Sequence, residues 1–252
     1  MFPRSPRSLL SAVVLVVSLG ALSGNEVAAS RREPSVPAVL MGSLSAVSWA
    51  PTAIGSLQRP IFELALAAAS CAVRSGSVAD LATLTVIDYS RPSTDKRLWV
   101  FDLKTKALLF EELVAHGRGS GDNLATSFSN EAESHQSSLG LFRTEDTYMG
   151  RNGYSMRLRG LDDGFNDRAY DRAIVMHGAP YVSEDFARAQ GRLGRSWGCP
   201  ALREGIAREV IDTVKGNGLV FAYYPDPAWL AASKYLGDCG GGPAPTLQAA
   251  GL

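Results

Sequence analysis

The spacing of apolar positions divides the chain into short elements. Phe62, Leu64, Ala65, Ala68 and Ala69 form one side of residues 60–74. Pro60 suits a first helical position and Gly76 lies just past the end, so this stretch predicts a helix. Residues 83–89 (TLTVIDY) are β-branched and aromatic and predict a strand. Residues 97–103 and 107–115 predict a hairpin that turns at Lys104 and Thr105. Further strands are predicted at 139–143, 155–158 and 173–177, and a final core strand at 219–224. Ser183 can cap a short helix over 183–190, with Glu184 and Asp185 in its first turn. In 203–215, Ile206, Val210 and Val214 repeat every four residues, Ile211 widens the stripe and Gly216 can end the helix. The polar stretch 117–138 is too long for a tight connection, and such loops are usually functional or disordered. About five to seven short strands with few helices predict a mainly β domain over 81–236, preceded by a helical segment at 58–80.

The ends read differently. Arg4 and Arg7 precede an apolar run at 9–22, and Val27, Ala28 and Ala29 supply small residues for cleavage. That order predicts a secretory signal peptide over 1–29. The apolar run is about fourteen residues, whereas a spanning helix needs roughly twenty, so a membrane anchor is the weaker reading. Residues 30–57 are rich in Ser, Pro and small side chains and are expected to be a linker. Residues 237–252 are expected to be a disordered tail. The mature chain is then exported to a periplasm or cell-wall space, with no integral membrane segment, and is expected to be a monomer.

Composition narrows the function classes. The chain has 252 residues, of which 46% are hydrophobic and 20% charged, as in folded globular proteins. Twenty-five basic and 25 acidic residues cancel, which speaks against a general nucleic-acid or anionic-membrane binder. Three cysteines exclude a disulfide-rich scaffold and a four-cysteine zinc site, and neither Cys-x-x-Cys nor His-x-x-x-His occurs. Residues 117–121 lack the Gly-Lys-Ser/Thr ending of a phosphate-binding loop, so nucleotide binding is rejected. In an oxidising compartment Cys71 with Cys239 is the pairing that leaves Cys199 free. Three unpaired thiols, with Cys71 a small buried apolar residue, is the other reading and the preferred one.

The candidate chemistry lies between His177 and Cys199. An apolar run, Ala173 to Met176, ends in His177-Gly178, which places an imidazole at the mouth of a buried strand. Gly194-Arg195-Ser196-Trp197-Gly198-Cys199-Pro200 follows. Gly198 permits a sharp turn beside the thiol and Pro200 fixes the backbone after it. Such a turn can aim backbone N–H groups at one point, as an oxyanion site requires. A thiol needs a base or cation beside it to become a nucleophile, and His177 can be that base. The alternative is a strand-end histidine and a turn cysteine that only pack.

The run IVMHGAPYVS…LGRSWGCPAL resembles the catalytic segment of the murein L,D-transpeptidases of the YkuD type, in the branch whose nucleophile stands in a Ser-x-Gly-Cys-Pro context. LTVIDYSRPSTDKRLWVFDL, VAHGRGSGDN, ATSFSN, SSLGLFRT and YSMRLRGLDDGFNDRA resemble the same branch, so the likeness runs over about 81–224. It implies a single β-sandwich or barrel-like catalytic domain. It implies Cys199 as nucleophile, His177 as base, Ser196 as the serine beside the active turn, and the backbone amides of Gly198 and Cys199 as oxyanion donors. Its substrates would be peptidoglycan stem peptides, joined in L,D cross-links through a thioester, with no cofactor and no metal. Trp197 stands where the commoner pattern has a second histidine. Pro200 and Ala201 replace residues that often include an arginine, and Arg195 and Arg203 are the candidates to restore that charge. No Asp or Asn is marked to orient His177; a backbone carbonyl can do so.

Lesser candidates are Trp197, Arg195, Ser138 and His116 as substrate-binding residues, with a structural histidine the stronger reading of His116. Ser120, Asn123 and Asn130 can bond a peptide or simply make turns. Asn166, Asp167, Arg168 and Arg172 read as a solvated or structural charge cluster. Hydrolysis by the same pair (an L,D-carboxypeptidase or a hydrolase of wall attachments) and a non-catalytic wall-binding module are the competing functions. A papain-like peptidase is disfavoured because its Cys precedes its His.

Overall fold

The computed structural model describes residues 38–237 and residue 239. The expected signal peptide, the first part of the expected linker and the rest of the tail lie outside the described residues. Among the described residues no helix is long and apolar enough to cross a membrane.

Among the described residues nine strands form one sheet. They are β1 (Thr83–Asp88), β2 (Leu98–Asp102), β3 (Ala107–Glu112), β4 (Val114–Ala115), β5 (Gly140–Gly150), β6 (Gly153–Gly160), β7 (Val175–Ala179), β8 (Ala201–Arg203) and β9 (Gly218–Tyr223). Their spatial order is β3-β2-β1-β9-β5-β6-β7-β8-β4. The two outermost strands, β3 and β4, are separated in the chain by Leu113 alone. One nearly continuous stretch therefore pairs with β2 at one edge and β8 at the other. A sheet whose edges are joined in this way must curl on itself, so the fold is barrel-like and mainly β, as the resemblance implies.

Helices close the core. In α2 (Arg59–Arg74) Phe62, Ala65, Ala68, Ala69 and Ala72 are fully buried and Leu64 and Leu66 nearly so. A helix covered on so many sides belongs inside the molecule. It shares one apolar core with β1, β2, β5 and β9, so no core boundary separates residues 58–80 from the strands. In α4 (Glu204–Val214) Ala207, Val210, Ile211 and Val214 are the buried stripe. Ser183 caps α3 (Glu184–Gln190), its hydroxyl accepting from Phe186 N–H at 3.1 Å.

Residues 38–57 differ from the expected linker. They contain α1 (Ala38–Ser43) and 3-10 turns at Ala46–Ser48 and Pro51–Ile54. Leu44, Trp49, Ile54 and Leu57 are buried. Trp49 stands edge-on to Phe62 and Phe101 at 5.1 and 5.6 Å, and its indole N–H donates to Ser43 O. One aromatic anchor fixes a segment whose average composition looks like a spacer.

The preferred all-thiol reading is corrected as well. Cys71, in α2, and Cys239 form a disulfide with Cα atoms 5.5 Å apart. Cys199 is left as the chain's free thiol.

Candidate active site

His177 enters the site from β7. Pairing sets it in one row across four strands: Tyr148 of β5 faces Ser155 of β6, Ser155 faces His177, and His177 faces Ala201 of β8. Residues in one such row project to the same side of a sheet, which puts the Tyr148 ring on the side of the imidazole. Cys199 lies two residues before β8, at the end of the turn that leads into it. His177 and Cys199 both line a cavity of about 450 Å³. Tyr148, Arg151, Asn152, Arg172, Tyr181 and Trp197 share its wall.

The turn holding Cys199 is tightly fastened. Ser196 Oγ donates to Cys199 O at 2.6 Å and accepts from Gly198 N–H at 3.1 Å. Ser196 N–H donates to His116 O, and Arg118 N–H donates to Ser196 O. Ser137 Oγ accepts from Gly117 N–H and donates to Gly198 O. Gly198 has φ +114°, and a Cβ there would stand 2.7 Å from Gln136 O, so only glycine fits without displacement. A Cβ on Gly117 would meet Gly198 N at 2.9 Å, which shows how closely the two segments approach.

His177 Nδ1 lies 2.9 Å from Gly178 O. A carbonyl only accepts, so Nδ1 carries the proton and Nε2 keeps its lone pair. Burial pushes the His177 pKa down, against a smaller opposite effect from this hydrogen bond. Burial pushes the Cys199 thiol up, partly offset by the Val175 N–H and the positive charge of Arg172. Val175 N–H approaches Cys199 Sγ at 3.5 Å, and the thiol points its hydrogen toward Ala173 O at 3.8 Å. Ala173 has φ +55°, an uncommon conformation for alanine, and it aims this carbonyl at the sulfur. Both shifts favour the neutral thiol–imidazole pair over thiolate–imidazolium at rest.

The other predicted residues divide. Trp197 and Arg195 line the cavity. Trp197 is 63% exposed, and the His135 ring lies 5.0 Å from it. Arg195 is held by Asp122 and Gly121 O at 2.8 and 2.9 Å. His116 is not among the residues that line the cavity, and its surroundings are those of a structural histidine. It is buried, its Nδ1 accepts from Arg97 at 2.7 Å, and burial beside that guanidinium brings its pKa down to about 4. Ser138 is also buried behind the wall; its hydroxyl donates to Ser129 O and accepts from Arg172. The Gly198 N–H is engaged by Ser196, which leaves the Cys199 N–H as the turn's candidate oxyanion donor. Arg203 forms a two-pronged pair with Glu112 away from the cavity. Arg172, expected to be a structural or solvated charge, is the cation that acts on Cys199. Ser120, Asn123 and Asn130 are engaged by Ser137 N–H, Ser93 and Asp167.

The sequence matches the L,D-transpeptidase catalytic domain over residues 54–223. No curated protein matches it. Among solved structures it is similar to an L,D-transpeptidase from Mycobacterium smegmatis at 13% identity and TM-score 0.37, over 57% of this chain and 59% of that one. An L,D-transpeptidase from Mycobacterium tuberculosis H37Rv is similar at 15% identity and TM-score 0.34, over 57% and 58%. An L,D-transpeptidase from Stackebrandtia nassauensis is similar at 12% identity and TM-score 0.35, over 75% and 91%. The chain thus spans 59% and 58% of the two mycobacterial chains. With the family match covering most of the described residues, both His177 and Cys199 among them, the chain belongs to the L,D-transpeptidase catalytic domain family.

Proposed function

We propose that the protein is an exported cysteine acyltransferase that joins peptidoglycan stem peptides in L,D cross-links. The observation that carries this reading is that the free thiol of Cys199 and the base-competent imidazole of His177 open into one cavity. Cys199 Sγ attacks the carbonyl of the diamino-acid residue in a donor stem peptide, and its proton passes to His177 Nε2. The Cys199 N–H and neighbouring turn dipoles stabilise the oxyanion. The C–N bond breaks, His177 returns the proton to the departing terminal D-amino acid, and a thioester remains. An amine of a second stem peptide then attacks the thioester, His177 takes its proton, the C–S bond breaks, and His177 passes that proton to the departing sulfur, which restores the Cys199 thiol. Arg172 lowers the cost of the thiolate, and Ser196 holds the turn in place.

The chemistry starts from a neutral pair, so the proton moves when substrate arrives rather than beforehand. Incubation of the secreted, folded protein with purified muropeptides tests the reading. New L,D-linked dimers and free D-amino acid are expected, and both vanish in Cys199→Ala. Shortened monomers without dimers would place water in the acceptor's role. Undiminished turnover by Cys199→Ala would contradict the mechanism.

A further inference from the structure

The cavity wall has an uneven charge. Three arginines, Arg151, Arg172 and Arg195, line it, and no Asp or Glu among the described residues does. The three are not equivalent. Arg195 is neutralised by Asp122 at 2.8 Å. Both terminal nitrogens of Arg172 are engaged, by Ser129 O, Ser138 Oγ, Ser134 Oγ and Gln136 O at 2.6–3.2 Å. Those acceptors are uncharged, so Arg172 keeps its charge but has few hydrogens to spare; Glu131 acts on it while paired with Arg168. Arg151 makes no hydrogen bond, ion pair or ring contact with any described residue. Among the described residues that line the cavity, it is the guanidinium free to bind something else.

Its position is built rather than incidental. Arg151 and Asn152 are the two turn residues of the β5–β6 hairpin, closed by the Gly150–Gly153 pair. β7 pairs with β6 only from Ser155 to Arg157, so the outer half of the hairpin continues past His177. Tyr148, in the row of His177, and Arg151, at the tip, carry that overhang to the cavity. The stem is stiffened by Arg157 over the Tyr148 ring at 4.7 Å and by the Tyr154 hydroxyl bonded to Asp212.

We propose that Arg151 is the specificity residue that reads a free carboxylate on the donor peptide, close to the carbonyl that Cys199 attacks. A guanidinium matches a carboxylate in a two-pronged, charge-assisted pair, and a cation-lined cavity favours it further. The inference rests on the acyl-transfer reading for the identity of the donor, but not for the existence of an anion-binding wall. The carboxylate comes from the terminal D-amino acid or from the side chain of the diamino acid.

Two measurements decide it. Cys199 is the free thiol, so its alkylation by anionic iodoacetate and neutral iodoacetamide reports the cavity's preference without any peptidoglycan. At low salt the wild-type iodoacetate-to-iodoacetamide rate ratio should exceed that of a small model thiol. Arg151→Gln should lower it several-fold, and Arg151→Lys should keep most of it. Equal ratios in wild type and Arg151→Gln overturn the proposal. The second measurement follows acylation of Cys199 by a tetrapeptide donor, by its C-terminal amide and by the same donor with an amidated diamino-acid side chain. One amidation should cut kcat/KM about tenfold in wild type and have little effect in Arg151→Gln, which identifies the carboxylate. Equal sensitivity of both proteins to each amidation overturns the proposal. If no donor acylates wild-type Cys199, the acyl-transfer reading falls, and the haloacetate ratio still decides for or against Arg151.

Discussion

Ser196 grips Cys199 by its carbonyl: Ser196 Oγ donates to Cys199 O at 2.6 Å while accepting from Gly198 N–H at 3.1 Å. One hydroxyl therefore sets the path of the backbone on which the thiol stands. Each hydrogen bond of this kind contributes about 1 kcal/mol, and losing both leaves buried groups unsatisfied. Ser196→Ala should slow Cys199 acylation by at least tenfold with a smaller change in thermal midpoint. Ser196→Thr keeps the hydroxyl and should restore most of the rate. Equal rates for Ala and wild type would show that the turn holds its shape without this clasp.

The shifts at His177 and Cys199 set the pH dependence that the acyl-transfer proposal predicts. Burial lowers the His177 pKa, so the imidazole stays neutral and able to accept a proton to below its ordinary range near 6.5. Burial raises the Cys199 pKa, so its thiolate fraction at neutral pH is smaller than that of a free cysteine. Iodoacetamide alkylation of Cys199 should climb through the alkaline range with no plateau near neutrality. Acyl transfer should lose activity on the acid side only below the usual histidine range. A plateau in alkylation at about pH 6–7, the range of a preformed thiolate, would contradict the neutral resting pair.

His116 links stability to pH. Its folded pKa is about 4 against an ordinary 6.5. Between those values the unfolded chain binds the extra proton and the folded one does not, so stability rises with pH across the window and falls as pH drops through it. The full shift corresponds to a few kcal/mol, about 1.4 per pKa unit, before allowance for the remaining solvent contact. Urea midpoints between about pH 4 and 6.5 should show a steeper slope for wild type than for His116→Asn. Parallel slopes would remove His116 as the source.

The Cys71–Cys239 bridge spans a sequence separation of 168 residues and ties Cys239 to α2. A bridge of that kind typically contributes about 2–4 kcal/mol. Cys71→Ser, or mild reduction, should lower the thermal midpoint while Cys199 remains the residue acylated. An unchanged midpoint would mean that the bridge does not constrain the unfolded chain.

The two candidate residues are legible because each lies in a local pattern: an apolar run ending in His177-Gly178, and a Gly198-Cys199-Pro200 turn, which the structure brings to one cavity. The strands were legible where they are buried. The pattern predicts this strand only over residues 139–143, and Gly140–Thr144 of β5 is mostly buried whereas the remainder is largely half-buried or exposed. The overhanging half of the hairpin has no core to impose alternation, so the reach of Tyr148 and Arg151 into the cavity left no mark in the pattern. Arg172 is held structurally, as one of its two readings expects, but its acceptors, from Ser129 to Gln136, come from a distant polar loop, so its place in the cavity wall leaves no local signal. Trp49 was lost in the average of a Ser/Pro-rich stretch. The short helix α5 (Pro227–Ala232) had a readable signal in Asp226, whose side chain caps Trp229 N–H, and in Pro227 at the first turn.

The central claim is that Cys199 becomes a thioester. Intact-mass measurement of the folded protein after brief incubation with a purified tetrapeptide muropeptide, followed by peptide mapping, tests it most directly. The account predicts an adduct equal to the donor minus its terminal D-amino acid, located on Cys199 and absent from Cys199→Ala. An adduct on another residue, or D-amino acid released at an undiminished rate by Cys199→Ala, would contradict it.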